Sequence, residues 1–381
     1  MFLLQALGSN GSGQLGIGHK DDVSVPQTVI LPTSLTNTTE PRLRRIVAGG
    51  NHTLLLLSSG ELLWAGDATA GACGRLARLP HDVSDPATPT PEFRPVDLSP
   101  LPSGAKIQLA AATWTASTIV ATLTASRGET GVSTRVYSFG AGDKGELGLG
   151  SGTLRAPEPT QIPDFPPPGT QVAELASCMG HVVAVLSNGE AWGWGSGRKG
   201  QLGEPASAAV YSPRRIEGVG FKAVRAVCGR EFTCLFGAPE TGEMVVLGSD
   251  KWGVRSQAPG SVVGWKDVGA GWGSVFVLKK DGALLSWGRN DHGQLAREDL
   301  GRVSSIAVGS EHALVLTEDG DVMAWGWGEH GNCGPIHESH PEKGQRNRIA
   351  SSKALPTERG AEITMVGAGC ATSWVVIEKM T

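Results

Sequence analysis

Ala324-Trp325-Gly326-Trp327-Gly328-Glu329-His330-Gly331-Asn332-Cys333-Gly334-Pro335 is the stretch whose reading decides the fold. It is an apolar strand end, a Trp-Gly turn and a glycine-punctuated loop. The same unit returns as Leu7-Gly8-Ser9-Asn10 with Gln14-Leu15-Gly16, and as Phe139-Gly140-Ala141-Gly142 with Glu146-Leu147-Gly148. It returns again as Trp194-Gly195-Ser196-Gly197 with Gln201-Leu202-Gly203, and as Trp287-Gly288-Arg289-Asn290 with Gln294-Leu295. Ala65-Gly66-Asp67 and Leu247-Gly248-Ser249-Asp250 are degraded copies, which makes seven. A unit that repeats at intervals of tens of residues signals a solenoid or propeller.

Between these copies runs a second unit: an apolar strand, a small-residue turn, another apolar strand and a polar hairpin. Ile46-Val47-Ala48-Gly49-Gly50-Asn51-His52-Thr53-Leu54 with hairpin Ser58-Ser59-Gly60-Glu61 is one instance. Others surround Thr113-Trp114, Met179-Gly180-His181, Gly229-Arg230, Gly271-Trp272, Gly309-Ser310-Glu311-His312 and Gly369-Cys370. Asp281-Gly282 and Asp319-Gly320 are two-residue hairpin signals. A proline followed by alternating residues, as in Pro26–Ile30 or Pro213–Ile216, supplies an outer strand, where no ladder N–H is needed. Four strands per repeat make one propeller blade. The expectation is an all-β, seven-bladed β-propeller forming a single domain over 1–381. Residues 2–20 complete the last blade begun by 363–378, so that no sheet edge is left open. Insertion loops are expected at about 67–107, 151–170 and 335–360; the first is proline-rich and the last mildly basic.

Composition agrees. The 54 glycines among 381 residues have no short period, and 40% of residues are hydrophobic, which excludes collagen and a disordered chain. A formal charge of −4 carries no footprint of general DNA binding. The six cysteines form no C-x-x-C pair and mostly sit in apolar patterns, so they read as reduced and buried, with a cytoplasmic or also nuclear location. The apolar start Met1–Leu7 has no basic flank and reads as a strand rather than a signal peptide, and no apolar run is long enough for a membrane helix.

Gly49-Gly50-Asn51-His52…Gly60-Glu61-Leu62-Leu63-Trp64-Ala65-Gly66, with the Trp-Gly…Gly-Gln-Leu-Gly units, resembles the regulator-of-chromosome-condensation repeats over nearly the whole chain. Gly8-Ser9-Asn10-Gly11…Gln14-Leu15-Gly16-Ile17-Gly18-His19, Trp325–Pro335 and Cys370-Ala371-Thr372-Ser373-Trp374 resemble its fungal alpha-tubulin-suppressor branch, also called killer-toxin-insensitivity proteins. That resemblance implies a non-catalytic subunit binding a small CSL zinc-finger electron carrier. It further implies support of diphthamide synthesis on elongation factor and of Elongator-dependent wobble-uridine modification of tRNA. The alternative from the same family is a guanine-nucleotide exchange factor for a small GTPase.

His52, His181 and His312 recur at equivalent turns, so they belong to different blades and cannot converge on a metal; each is expected to bond turn backbone in its own blade. Trp114, Trp272 and Trp374 are read at corresponding turn positions, the first two as partner contacts or inter-blade filling, the last as core. Cys333 takes the apolar place of leucine in Gly-Gln-Leu-Gly and is read as packing, not as a nucleophile. No phosphate loop, paired-carboxylate cleft or ligand cluster is present, so neither catalytic residues nor a metal nor a cofactor is expected. The expected partner contacts are Trp114, Trp272, Trp327, Glu329, His330 and Asn332, because exposed indoles with neighbouring polar groups make binding hot spots.

Overall fold

The structure is a computed structural model describing residues 2–36, 42–74, 91–102, 104–124, 132–335, 345–355 and 360–379. Seven antiparallel sheets are arranged as blades. Blade 1 is Leu43–Ala48, His52–Leu57, Leu62–Gly66 and Arg94–Pro95; blade 2 is Lys106–Ala112, Ala116–Thr124, Val132–Ala141 and Arg155–Gln161. Blade 3 is Val172–Cys178, His181–Leu186, Ala191–Gly197 and Ser207–Arg215. Blades 4 (Arg225–Cys228, Phe232–Phe236, Met244–Gly248) and 5 (Trp265–Ala270, Ser274–Lys279, Leu284–Gly288) have three strands among the described residues. Blade 6 is Val303–Val308, His312–Thr317, Asp321–Gly326 and Gln345–Ser351.

Blade 7 joins the two ends of the chain. Ala361–Ala368 and Thr372–Lys379 pair with Phe2–Gly8 and Val23–Thr28, with Phe2 opposite Glu378 and Gly8 opposite Thr372. The N-terminal contribution is thus two strands reaching Thr28, further than the 2–20 expected, because the glycine loop needs a return strand. The innermost strands of successive blades contact one another around the whole ring.

The recurring glycine has one physical cause. Gly8, Gly66, Gly140, Gly195, Gly248, Gly288 and Gly326 all have φ between 101° and 117°, a region closed to side chains. A Cβ at Gly326 would lie 2.6 Å from the Glu311 carbonyl oxygen, and at Gly8 2.2 Å from that of Ala371. That close approach lets the next N–H reach the same carbonyl: Trp327 N donates to Glu311 O at 2.9 Å and Ser9 N to Ala371 O at 2.8 Å. Gly66 and Gly248 do the same (Asp67 N to Asn51 O, 2.8 Å; Ser249 N to Glu231 O, 2.9 Å), so the copies degraded in sequence keep the hook.

The tryptophan before that glycine ties blades together. The indole N–H of Trp194 donates to Glu146 O, that of Trp287 to Val254 O and that of Trp325 to Gln294 O, each in the preceding blade's glycine loop. Trp194 and Trp325 are fully buried, so the bond also satisfies a donor whose burial alone would cost about 1–3 kcal/mol. Trp374 is core, as read.

Three expectations are corrected. His52, His181 and His312 do not serve their own blades: their Nε2 atoms pair with Ser117 Oγ, Thr233 Oγ1 and Ser373 Oγ of the next blade, each at 3.0 Å. By strand register the equivalents of these histidines are Ala116, Ser274 and Thr372, opposite Gly140, Gly288 and Gly8; Trp114 and Trp272 sit two residues earlier, at the turn tip. The three insertion regions also hold outer strands of blades, Arg94–Pro95, Arg155–Gln161 and Gln345–Ser351, since an edge strand needs only one side's pairing and so tolerates prolines and charges. Of those regions, 75–90, 103, 336–344 and 356–359 lie outside the described residues, and with them Pro80, Pro86, Pro89, Glu338, Glu342, Lys343, Glu358 and Arg359.

Candidate functional site

Each inner strand ends at a turn on one face of the ring, and the Trp-Gly loops emerge on that same face. The turns are stitched edge to edge. Gly50 N donates to Trp114 O (3.1 Å) and Trp114 N to Met179 O (2.7 Å); Arg230 N donates to Trp272 O (3.0 Å) and Trp272 N to Ser310 O (2.7 Å). With both backbone groups committed to neighbouring blades, the indoles of Trp114 and Trp272 project over the channel mouth. They meet there with centroids 6.3 Å apart, tilted 43°. Beneath them lies a cavity of about 250 Å3 lined by the inner strands of all seven blades, including Cys178, Cys228 and Cys370. Burial pushes the Cys178 thiol up to about 12, and that of Cys370 is raised for the same reason.

The opposite end of the channel is held by charges. Glu174 of blade 3 pairs with Arg45 of blade 1 at 3.6 Å and with Arg225 of blade 4 at 3.2 Å, and Arg225 reaches Asp267 of blade 5 at 2.9 Å. The two ends of the pore differ: one is ionic and mutually neutralised, the other aromatic.

From the aromatic end a band runs outward across blades 4, 5 and 6. Trp327 stacks on His292 (4.4 Å, 11° between planes), and Arg289 lies over both Trp327 and Trp252, at 5.9 and 4.9 Å. Arg289 is fixed from below. It grips Asp291 with two bonds, 2.7 and 2.9 Å, and donates to Glu311 at 2.5 Å; Gln294 bridges the two carboxylates at 3.0 and 3.1 Å. The hydrogen bonds from Arg289 hold the Asp291 carboxyl down at about 2, whereas burial raises that of Glu311 despite the same guanidinium.

Trp252 is the residue the sequence reading missed. It is 42% exposed and has φ +65°, an outlier for a bulky side chain. Lys251 Nζ lies 5.3 Å from its ring and Arg289 4.9 Å. Its signal was available in register: Lys251-Trp252-Gly253 follows the degraded Gly248 copy, and Trp252 stands where the other loops carry Ser12, Lys199, His292 and His330.

Of the expected contacts, Trp114 and Trp327 are 38% and 39% exposed and Trp272 is half-buried, and all three belong to this band. Glu329 is exposed at the loop tip. His330 Nδ1 pairs with Asp22 Oδ2 at 2.8 Å, bridging blade 6 to blade 7. Asn332 is a correction: it is fully buried and presents nothing to a partner. It occupies the slot of Gln14, Gln201 and Gln294, its side-chain amide donating to Trp327 O at 3.0 Å while its backbone carbonyl accepts from Ser373 Oγ at 2.7 Å. Cys333 fills the apolar leucine slot, buried, with its thiol pushed above the usual range.

The profile of the RCC1-like domain matches residues 4–375. The chain belongs to the RCC1-like family. An RCC1 repeat-containing protein of Schizosaccharomyces pombe is 31% identical over 99% of both chains. The secretion-regulating guanine nucleotide exchange factor of Mus musculus is 28% identical over 77% of this chain, which spans 61% of that relative's length. Among solved structures, Prp20p of Saccharomyces cerevisiae, described with its binding to Gsp1p and histones, superposes with TM-score 0.77 at 20% identity over 100% of this chain and 92% of that one. For this RCC1-like propeller the structural likeness carries the fold alone, and the seven equivalent glycine hooks are its physical content.

Proposed function

We propose that this propeller is a non-catalytic scaffold subunit whose turn face binds a small CSL zinc-finger electron-carrier protein. In that role it supports diphthamide synthesis and Elongator-dependent tRNA modification in the cytoplasm, with a nuclear pool included. The observation that carries the reading is convergence. The three stretches resembling the alpha-tubulin-suppressor branch lie far apart in the chain, and they meet where blade 6 joins blade 7. Ser9 N bonds Ala371 O at 2.8 Å, Ser373 Oγ bonds Asn332 O at 2.7 Å and His330 pairs with Asp22 at 2.8 Å. Beside that junction begins the band of Trp327, Trp252, Trp272 and Trp114. Clustered, partly exposed indoles are the residues that dominate protein interfaces, where truncating one costs about 2 kcal/mol or more.

The test is co-purification of the chain with the zinc-loaded CSL-finger protein of the same organism, then titration calorimetry. A one-to-one complex weakened about tenfold or more by Trp327→Ala or Trp272→Ala supports the reading. Absence of a complex rejects it. The similarity to a secretion-regulating exchange factor favours a second reading, nucleotide exchange on a small GTPase. Release of a fluorescent GDP analogue from a panel of small GTPases, accelerated by catalytic amounts of the chain, would select that reading instead.

A further inference from the structure

Between blades 4 and 5 the turn face sinks into a pocket of about 340 Å3, lined among others by Arg230, Lys251, Trp252, Trp272, Arg289 and Glu311. Its cations are not equivalent. Arg289 is committed to Asp291 and Glu311. Arg230 and Lys251 form no ion pair among the described residues; each lies over an indole instead, Arg230 at 5.7 Å from Trp272 and Lys251 at 5.3 Å from Trp252. An aromatic face orients a cation without neutralising it, so its donors stay available for an anion. The lining holds three cations, Arg230, Lys251 and Arg289, against two carboxylates, Glu231 and Glu311. Glu311 is held by Arg289, and Asp250, outside the lining, keeps its charge while accepting from the backbone N–H of Arg255 and Ser256. Outward, exposed Arg198, Lys199 and Arg255 extend the positive rim over the loops of blades 3 and 4.

We propose that this pocket takes an acidic segment of a partner protein, one carboxylate seated between Arg230 and Lys251 and the segment's apolar neighbour against Trp252 and Trp272. The strained backbone of Trp252 fits this role. A bulky residue held at φ +65° persists where the surroundings demand that its side chain stand in one place, and here that place is the pocket wall. Charge complementarity selects the partner: the rim repels a basic segment, and the indoles give an acidic one contact area that a free anion would not use. The proposal rests on the reading that the turn face binds protein, and it adds the chemistry that face selects.

The experiment measures fluorescence anisotropy of a labelled oligo-glutamate peptide ending in leucine, and of its glutamine counterpart, titrated with the full chain at low and physiological salt. The glutamate peptide should bind about tenfold more tightly, and Arg230→Ala or Lys251→Ala should each weaken it by about fivefold to tenfold, the size of one lost hydrogen bond at an exposed site. Both side chains are exposed, so the variants should melt as the parent does. Lys280→Ala and Arg302→Ala, two single variants on the opposite hairpin face, each remove the same one charge and should change nothing. Equal binding of the two peptides, or equal weakening by the opposite-face variants, overturns the proposal. The zinc-loaded CSL-finger protein is titrated in parallel. If it fails to bind the parent chain, the partner reading falls while the peptide result stands. If it binds, and Arg230→Ala with Lys251→Ala leaves its affinity unchanged, the pocket proposal is overturned and the partner reading is kept.

Discussion

The indoles of Trp114 and Trp272 meet across the mouth of the channel, 6.3 Å between centroids, although their turns belong to blades 2 and 5. Neither residue has a sequence neighbour in this contact. It exists because ring closure brings nearly opposite blades within reach over a narrow pore, and it lids the cavity containing Cys178 and Cys370.

The lid makes a chemical prediction. In the native protein a maleimide should label Cys178 and Cys370 slowly, since both are behind the indoles and their raised pKa values leave little thiolate. Trp114→Ala with Trp272→Ala should speed labelling by about tenfold or more without unfolding the chain, because access changes while thiolate content barely does. Mass spectrometry of labelled peptides reads this directly. Unchanged rates at both cysteines would mean that the indoles do not gate the channel.

The three inter-blade histidines predict acid sensitivity. Burial lowers His52, His181 and His312 from 6.5 to about 4. Between these values the unfolded chain holds protons that the fold excludes, so stability is full above about pH 6.5 and falls as the pH drops towards 4. The loss is roughly 3 kcal/mol per histidine once pH 4 is passed. His181→Gln should therefore be less stable at neutral pH, yet show a slope between pH 6.5 and 4 shallower by about 1.4 kcal/mol per unit in urea titrations. Parallel curves for the two proteins would refute this origin.

Trp252 predicts a stability order that runs against side-chain size. At φ +65° glycine is unstrained while alanine keeps the left-handed penalty, so Trp252→Gly should be more stable than Trp252→Ala by about 1 kcal/mol. Both should lose partner affinity alike. Denaturant midpoints that place alanine level with or above glycine would show that the backbone there is not strained.

Asn332 and Trp327 are separated by five residues and by opposite roles. Asn332→Ala removes a buried donor to Trp327 O and should cost about 1–3 kcal/mol of stability, with partner affinity of the folded protein kept. Trp327→Ala should change stability by about 1 kcal/mol or less, the loss of its stack on His292, and weaken the partner. Thermal melts and calorimetry on the two variants distinguish them; the reverse pattern would restore Asn332 as a contact.

Much of this architecture was legible residue by residue. Gly8, Gly140, Gly195, Gly288 and Gly326 announce themselves because one backbone geometry, a strand end at strongly positive φ against a neighbouring carbonyl, can be met only by glycine. Cys333 in a leucine slot and Trp374 in the core follow from the same register. Register also held the answer for Asn332, which aligns with the buried Gln14, Gln201 and Gln294; its polarity suggested surface, and position within the repeat was the stronger signal.

The amino-acid sequence by itself determined the repeat, the number of blades and the closure of the ring by both ends, because these rest on backbone requirements that recur every few dozen residues and act locally. Only the tertiary structure decided which side chains share a site. Trp114 faces Trp272, Arg289 is caught between Trp252 and Trp327, and each histidine bonds the next blade's hydroxyl, through the curvature of the ring and the offset between blades. Those contacts join residues of different repeats, and no periodicity within the chain encodes the distance between them.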